Sequence, residues 1–379
     1  MKHQLILIVL MIIFKAEAQS SASSMADSLY LTGNYTLAIN AYAKMGNDRT
    51  NLQIARAYQA IGNLDKAISQ YESIVAENPA LQIAAFELGK LYLRTNAYDE
   101  ARKLFSKLAT GGSENPEYQY YLGEAYRELG QPASSLVSYK NAIQLDSTHL
   151  RSLFQLAKFF TVKQQRDQAL EYINQGLEFY SNDVALVNLK ALVYFNDDQY
   201  PKAIPWFEKV LALGERKEYV YEKLAYCYYK NWEFDKAKET YNELLKLNDD
   251  NSDTYFSLAE VYRKNKELDS AEVFIKKAME IKKPIFATGY NALAGLARER
   301  NDLTTALSYY EKAHAQEPME PRYYYQICTL NDQLAEEPGR KLEYYENFIK
   351  LYGSKQPYVS QMVARRISEL KEEIHFSQE

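Results

Sequence analysis

From Asp48 to Lys283 the chain repeats its residue types every 34 positions, and the register never slips. A small residue returns as Ala55, Gly89, Gly123, Ala157, Ala191, Ala225 and Ala259. Three positions on, an aromatic returns as Tyr58, Tyr92, Tyr126, Phe160, Tyr194, Tyr228 and Tyr262. Twelve positions after the first column comes a second small one: Ala67, Ala101, Ser135, Ala169, Ala203, Ala237 and Ala271. A bulky column follows four positions later: Tyr71, Phe105, Tyr139, Ile173, Phe207, Tyr241 and Ile275. Spacings of three and four place two residues on one helix face. Each row therefore predicts two helices, A then B, joined by a turn. Small residues mark where the two helices cross, and the large ones fill the space beside the crossing. One hairpin cannot bury its own apolar face, but a stack of them can.

Period, both small columns and both large columns resemble the tetratricopeptide repeat family. The family's proline near the row end stands at Pro79 and Pro318, and loosely at Pro116 and Pro284; its early Trp is absent. The resemblance covers nearly all of the chain after the first twenty residues. It implies an all-α solenoid of about ten helix-turn-helix repeats in a right-handed superhelix, with A helices lining a concave surface that holds other proteins. Relatives that grip a C-terminal carboxylate need a Lys three positions before the first small column. No row has one, so that mode of binding is disfavoured.

The first residues read differently. Lys2 and His3 precede the apolar run Leu5 to Phe14, and Ala16-Glu17-Ala18 has the small-x-small form of a secretory cleavage site. Spanning a bilayer takes about 20 apolar residues, and Lys15 interrupts this run. The expectation is a cleaved signal peptide over 1–18, a mature chain starting at Gln19, no membrane insertion afterwards, and a periplasmic or secreted protein. Rows are placed near 19–47, 48–81, 82–115, 116–149, 150–183, 184–217, 218–251, 252–286, 287–320 and 321–352. Gly33-Asn34, Gly62-Asn63, Asn96, Gly130-Gln131-Pro132, Asn196 to Asp198, Asn231 and Asn301-Asp302 read as their turns. Asp65, Asp99, Asp167, Asp235 and Asp269 open the B helices, where a carboxylate meets free N–H groups. Pro205 falls inside a B helix, where it removes one backbone bond and predicts a kink. Row ten is degenerate, with Pro338-Gly339 at its turn. Residues 353–379 hold a last amphipathic helix, apolar at Val359, Met362, Val363, Ile367, Leu370 and Ile374, as a solenoid's end requires.

Composition narrows the function. The formal charge is −5, and losing Lys2, Lys15 and Glu17 with the leader would leave −6. No basic surface of the kind nucleic acid demands is present. The four His are widely separated, and no HExxH, CxxC or glycine-rich phosphate loop occurs, so no catalytic site, metal site or cofactor is expected. Cys227 and Cys328 lie on A helices about three repeats apart, beyond disulfide reach, and read as small buried apolar residues. The 34 Tyr exceed what the aromatic columns use, and the remainder cluster. They divide between ordinary packing and a binding surface.

The candidate site is the concave groove, at positions three before, one after and four after the first small column. Rows three to five set aromatics beside cations: Phe86 with Lys90, Tyr120 with Arg127, Phe154 with Lys158. Rows six and seven are apolar and aromatic at Leu192, Phe195, Tyr226 and Tyr229, and Arg263 follows in row eight. Such a wall suits an extended polypeptide with apolar side chains and some acidic character. The bland alternative is that these rings pack against the neighbouring A helix. The reading is an exported, non-enzymatic protein-interaction scaffold with a protein or peptide partner. Its alternatives are a structural subunit of an envelope assembly, meeting partners by its convex face or ends, and a sensory or glycan-binding module using the Tyr clusters.

Overall fold

The structure, a computed structural model, describes residues 22–111, 114–281, 286–353 and 356–376. The expected leader and its cut after Ala18 lie outside these residues, as do Gly112 and Pro284. Every regular element among the described residues is an α-helix. Contacts divide the chain into two compact units, 1–189 and 190–379.

Unit 1 holds α1 (residues 22–31), α2 (Tyr35–Ala43), α3 (Asp48–Ala60), α4 (Leu64–Glu77), α5 (Gln82–Arg94), α6 (Tyr98–Thr110), α7 (Pro116–Glu128), α8 (Pro132–Leu145), α9 (Leu150–Val162) and α10 (Arg166–Phe179). The division falls inside α11 (Val184–Asn196). Unit 2 continues with α12 (Tyr200–Ala212), α13 (Glu218–Lys230), α14 (Phe234–Leu247), α15 (Ser252–Lys264), α16 (Leu268–Ile281), α17 (Ala287–Glu299), α18 (Leu303–Gln316), α19 (Pro321–Leu334), α20 (Pro338–Tyr352) and α21 (Pro357–Phe376). Within each unit a helix pairs with its hairpin partner and packs next on the first helix of the following hairpin. That serial stacking is the architecture of an α-solenoid.

The columns explain the packing. Both small columns and the bulky column are buried at every row. Where the first column is glycine, the bulky ring occupies its missing side chain. A methyl at Gly89 would stand 2.6 Å from Phe105 Cζ, and one at Gly123 would stand 2.5 Å from Tyr139 Cε1. The aromatic column is mostly half-buried instead, with Lys66 over Tyr58, Lys202 over Tyr194 and Lys238 over Tyr262.

Nearly every A–B turn is closed in one way. Its last residue but one has positive φ, and the next residue's N–H reaches back five positions: Asn63 to Tyr58, Ala97 to Tyr92, Gln131 to Tyr126, Gln165 to Phe160, Gln199 to Tyr194, Glu233 to Tyr228 and Glu267 to Tyr262. This is the Schellman closure, whose left-handed residue is usually Gly or Asn. Here the left-handed position holds Gly62, Asn96, Gly130, Gln164, Asp198, Trp232 and Lys266. In row seven it is thus Trp232, and the expected turn residue Asn231 is an ordinary helix end at φ −90°. Row ten lacks the closure: α19 runs into extended Ala335, and Pro338 starts α20. The five Asp expected at B-helix starts all lie in first turns. Helix α12 continues through Pro205, which forgoes only a bond to the Pro201 carbonyl.

At the C-terminal end, α21 buries Val363 and Leu370, while Met362 on the same stripe stays 48% exposed. Arg366 reaches back to α19, where its Nε and Nη2 donate to Asp332 at 2.8 and 3.0 Å. Cys227 and Cys328 are buried free thiols, and burial pushes each up to about 12.

Candidate functional site

In unit 1 the predicted rings pack largely against one another. Phe86 on α5 is half-buried, with ring centroids of Tyr118 and Tyr121 at 5.4 and 5.3 Å and Phe105 at 6.1 Å. Lys90 lies over it at 5.1 Å, as its spacing implies, and pairs with Glu87 at 2.9 Å. Tyr120 on α7 is 9% exposed and touches Tyr121, Tyr139 and His149. Burial raises its phenol pKa. Its cation is not Arg127, which is exposed and pairs with Glu124 and Glu128. Arg151 from α9 takes that place, 4.5 Å above Tyr120 and 5.2 Å above Tyr121, with Glu117 as its carboxylate. Arg151 lies three positions before Phe154, outside the three predicted columns. Phe154 is half-buried and Lys158 exposed.

In unit 2 the rings form a chain that stays open. Phe195 and Leu192 on α11 are half-buried, and Tyr226 on α13 is 36% exposed. Phe195 meets Tyr200 and Tyr226 at 5.8 Å each, Tyr226 meets Tyr229 at 6.2 Å, and Tyr229 meets Phe234 at 6.3 Å. Lys223 lies 4.2 Å over Phe195, and Lys230 lies over Tyr200 and Tyr226 at 5.7 and 5.8 Å. The Tyr229 hydroxyl donates to Glu260 at 3.1 Å; burial first, then that carboxylate, pushes the phenol up to about 12. Arg263, predicted as a free groove cation, is held by Glu260 at 2.7 Å and by Glu299 from α17. Its positive charge is therefore spent inside the fold.

Space opens from row eight onward. One cavity of about 300 Å³ is lined by Phe256, Glu260 and Arg263 of α15, Ile275 of α16, Asn291 and Gly295 of α17, and Tyr310 of α18. A second, of about 210 Å³, shares Asn291 and Tyr310 and adds Arg322, Tyr325 and Gln326 of α19 with Val359 of α21. Gly295 sits mid-helix, where Gly is less favourable than Ala by roughly 0.5–1 kcal/mol. Unlike Gly89 and Gly123, no atom lies within 4 Å of where its Cβ would be. Packing does not require this glycine; it leaves backbone bare at the cavity wall. Asn291 and Gly295 occupy the predicted columns three before and one after Ala294. Following the register past its one-residue lengthening would have found them.

A third cavity, about 240 Å³, lies at the α13–α14 turn between Tyr229, Lys230, Trp232, Phe234 and Lys264. Trp232 has φ +64° and is 74% exposed. A left-handed conformation costs an L-residue roughly 1–2 kcal/mol. No three or more His, Cys, Asp or Glu among the described residues gather as a metal site would need. No helix among them is long and apolar enough to cross a membrane.

Family models described as tetratricopeptide repeat match residues 52–116 and 116–149, and a model described as anaphase-promoting complex, cyclosome, subunit 3 matches 196–278. None of these descriptions names a catalytic activity. Among curated proteins, the chain is similar to anaphase-promoting complex subunit 6 of Arabidopsis thaliana, 27% identical over 43% of this chain and 30% of that one. It is similar also to the TPR repeat-containing protein YpiA of Bacillus subtilis, 24% identical over 41% of this chain and 36% of that one. A third relative is the formate-dependent nitrite reductase complex bifunctional subunit NrfFG of Haemophilus influenzae, 31% identical over 30% of each chain. The matches span about a third of the length of these curated relatives. Similar solved structures include yeast Tom70, 13% identical over 95% of this chain and 97% of that one with a TM-score of 0.40. YrrB, titled a TPR protein with an unusual peptide-binding site, is 19% identical over 48% of this chain and 92% of that one, with a TM-score of 0.42.

Proposed function

Taking as premise that residues 52–149 carry tetratricopeptide repeats, we propose that this chain is an exported, non-enzymatic scaffold that holds an extended polypeptide against its A helices. The observation that carries the reading is Gly295. A helix-interior glycine that no neighbour demands, at the wall of a cavity that shares Asn291 and Tyr310 with a second one, leaves room for a second backbone. Asn291 stands ready with an amide that can both donate to and accept from a peptide unit. Phe256, Tyr310 and Tyr325 supply apolar walls for side chains.

Peptides selected from a displayed random library on the wild-type chain, then retested on Gly295→Leu and Asn291→Ala, provide the test. Binding should fall about tenfold or more for a residue that anchors the contact, with helical circular dichroism unchanged. Peptides that bind both variants as they bind the wild type would overturn the A-helix reading. The parallel triple substitution Phe195→Ala, Tyr226→Ala and Tyr229→Ala asks whether the groove extends to rows six and seven. Export is tested separately: the mature protein should begin at Gln19 on N-terminal sequencing, and an intact Met1 would refute it.

A further inference from the structure

The strangest residue in the molecule is Trp232. It stands at the left-handed position of its turn, where Gly or Asn is usual, and it leaves most of its indole in water. Eight other rows place Gly33, Gly62, Asn96, Gly130, Gln164, Asp198, Lys266 or Asn301 at the same point and close the turn with the same backbone bonds. Neither folding nor packing selects a tryptophan there. Its ring meets Phe234 edge-on at 5.7 Å, and Phe234 meets Tyr229 at 6.3 Å, so three rings wall the cavity of about 240 Å³. That volume takes one large side chain.

The remaining two walls are Lys230 and Lys264, both exposed. The carboxylates nearby are committed elsewhere. Glu233 holds Lys236 and Asn231, Glu260 holds Arg263 and Tyr229, and Glu267 holds Lys238 and Asn265. Lys264 lies within the field of Glu260, Lys230 lies over the Tyr200 and Tyr226 rings, and neither forms an ion pair among the described residues. Two exposed ammonium groups that form no ion pair among the described residues therefore flank a three-ring slot.

We propose that this slot is a peptide-binding site, distinct from the A-helix cavities, for a segment that carries an aromatic or prolyl side chain flanked by Asp or Glu. The ring enters between Trp232, Phe234 and Tyr229, where flat faces stack at little entropic loss. The flanking carboxylates lie against Lys230 and Lys264, which steer the encounter and fix its polarity. The proposal rests on the reading that the chain binds polypeptide, though not on where along the A helices it does so.

A random peptide library is selected on the wild-type chain, on Trp232→Gly and on Lys230→Ser/Lys264→Ser. Acidic peptides containing Tyr, Phe, Trp or Pro should be enriched on the wild type and lost on both variants, about tenfold or more in affinity. Trp232→Gly restores the residue that the turn prefers, so it should melt above the wild type, which separates lost binding from lost folding. The chain has two Trp, so in Trp206→Phe the emission comes from Trp232 alone; it should shift to the blue as an enriched peptide is added. Binding should weaken steeply as salt rises. Enrichment that carries no acidic bias, that persists on Trp232→Gly, or that leaves Trp232 emission unmoved overturns the proposal. So does an oligouronate that shifts this emission when no peptide does, for the slot would then hold a sugar. Peptides that depend on Gly295 and not on Trp232 would sink this site while leaving the A-helix reading intact.

Discussion

The aromatic residues of unit 1 and unit 2 sit on the same kind of helical hairpin and are held differently. In unit 1 Phe86, Tyr118, Tyr120 and Tyr121 pack on one another, and Arg151 closes over two of them with Glu117 as its counter-ion. In unit 2 Phe195, Tyr226, Tyr229 and Phe234 meet at tilted angles, and Lys223 and Lys230 above them form no ion pair among the described residues. A cation over a ring seals it when a carboxylate pins that cation. Without one, the cation and ring remain available to a ligand. The two sets of rings differ in whether a carboxylate pins the cation above them, not in the aromatics themselves.

The sharpest contrast is in the glycines. Phe105 is fully buried in the place a Gly89 side chain would take. Phe105→Ala should lower unfolding free energy by about 3–5 kcal/mol, measured by urea denaturation. Gly123→Ala drives a methyl into the Tyr139 ring and should cost about 1–3 kcal/mol. Gly295→Ala meets nothing and should instead gain roughly 0.5–1 kcal/mol. If Gly123→Ala and Gly295→Ala moved stability in the same direction, the distinction between a glycine kept for packing and one kept for access would fail.

Much of this was legible in the sequence. Two small columns and one bulky column placed every crossing, because each column is set by a contact between two backbones and tolerates few residue types. The pairing of rings with cations was not legible. Arg127 and Arg151 are both within reach of Tyr120 by spacing, and only three-dimensional neighbours decide that Glu124 and Glu128 claim the first. Trp232 was missed for another reason. Asn231 beside it looked like the turn residue, though counting 34 from Asp198 points to Trp232. Backbone closure obeys the period more strictly than composition does.

A smaller effect tests whether the C-terminal end of unit 2 is sealed in the unit 1 manner. Asp332 accepts two bonds from Arg366 and one from Tyr345, and the Arg366 bonds hold its pKa below the usual 3.8. A depressed carboxylate stabilises the fold above its unfolded value and loses that contribution as pH falls through the folded one. Docking of α21 should thus hold above about pH 4 and weaken below it. Arg366→Ala should cost about 1–2 kcal/mol at neutral pH and flatten the acid limb, read by hydrogen exchange across α21.

The smallest predicted effect is at His314, in α18. Its Nδ1 is buried without a partner, and its ring meets Tyr324 at 5.1 Å and Tyr352 at 6.4 Å. Burial alone lowers its pKa from 6.5. Among the described residues no carboxylate pairs with this imidazole, so nothing offsets the cost of charging it. Above pH 6.5 the imidazole is neutral in both folded and unfolded chains and contributes no slope. As pH falls below 6.5 the unfolded chain takes up the proton first, so stability declines until the folded pKa is passed. His314→Leu removes this term while keeping the apolar contact. The stability difference between wild type and His314→Leu should then widen between pH 6.5 and 5, with faster exchange in α18 and α19 of the wild type. A difference that stays constant over that range would mean a hidden acceptor holds the imidazolium, and His314 would belong with the sealed rings of unit 1.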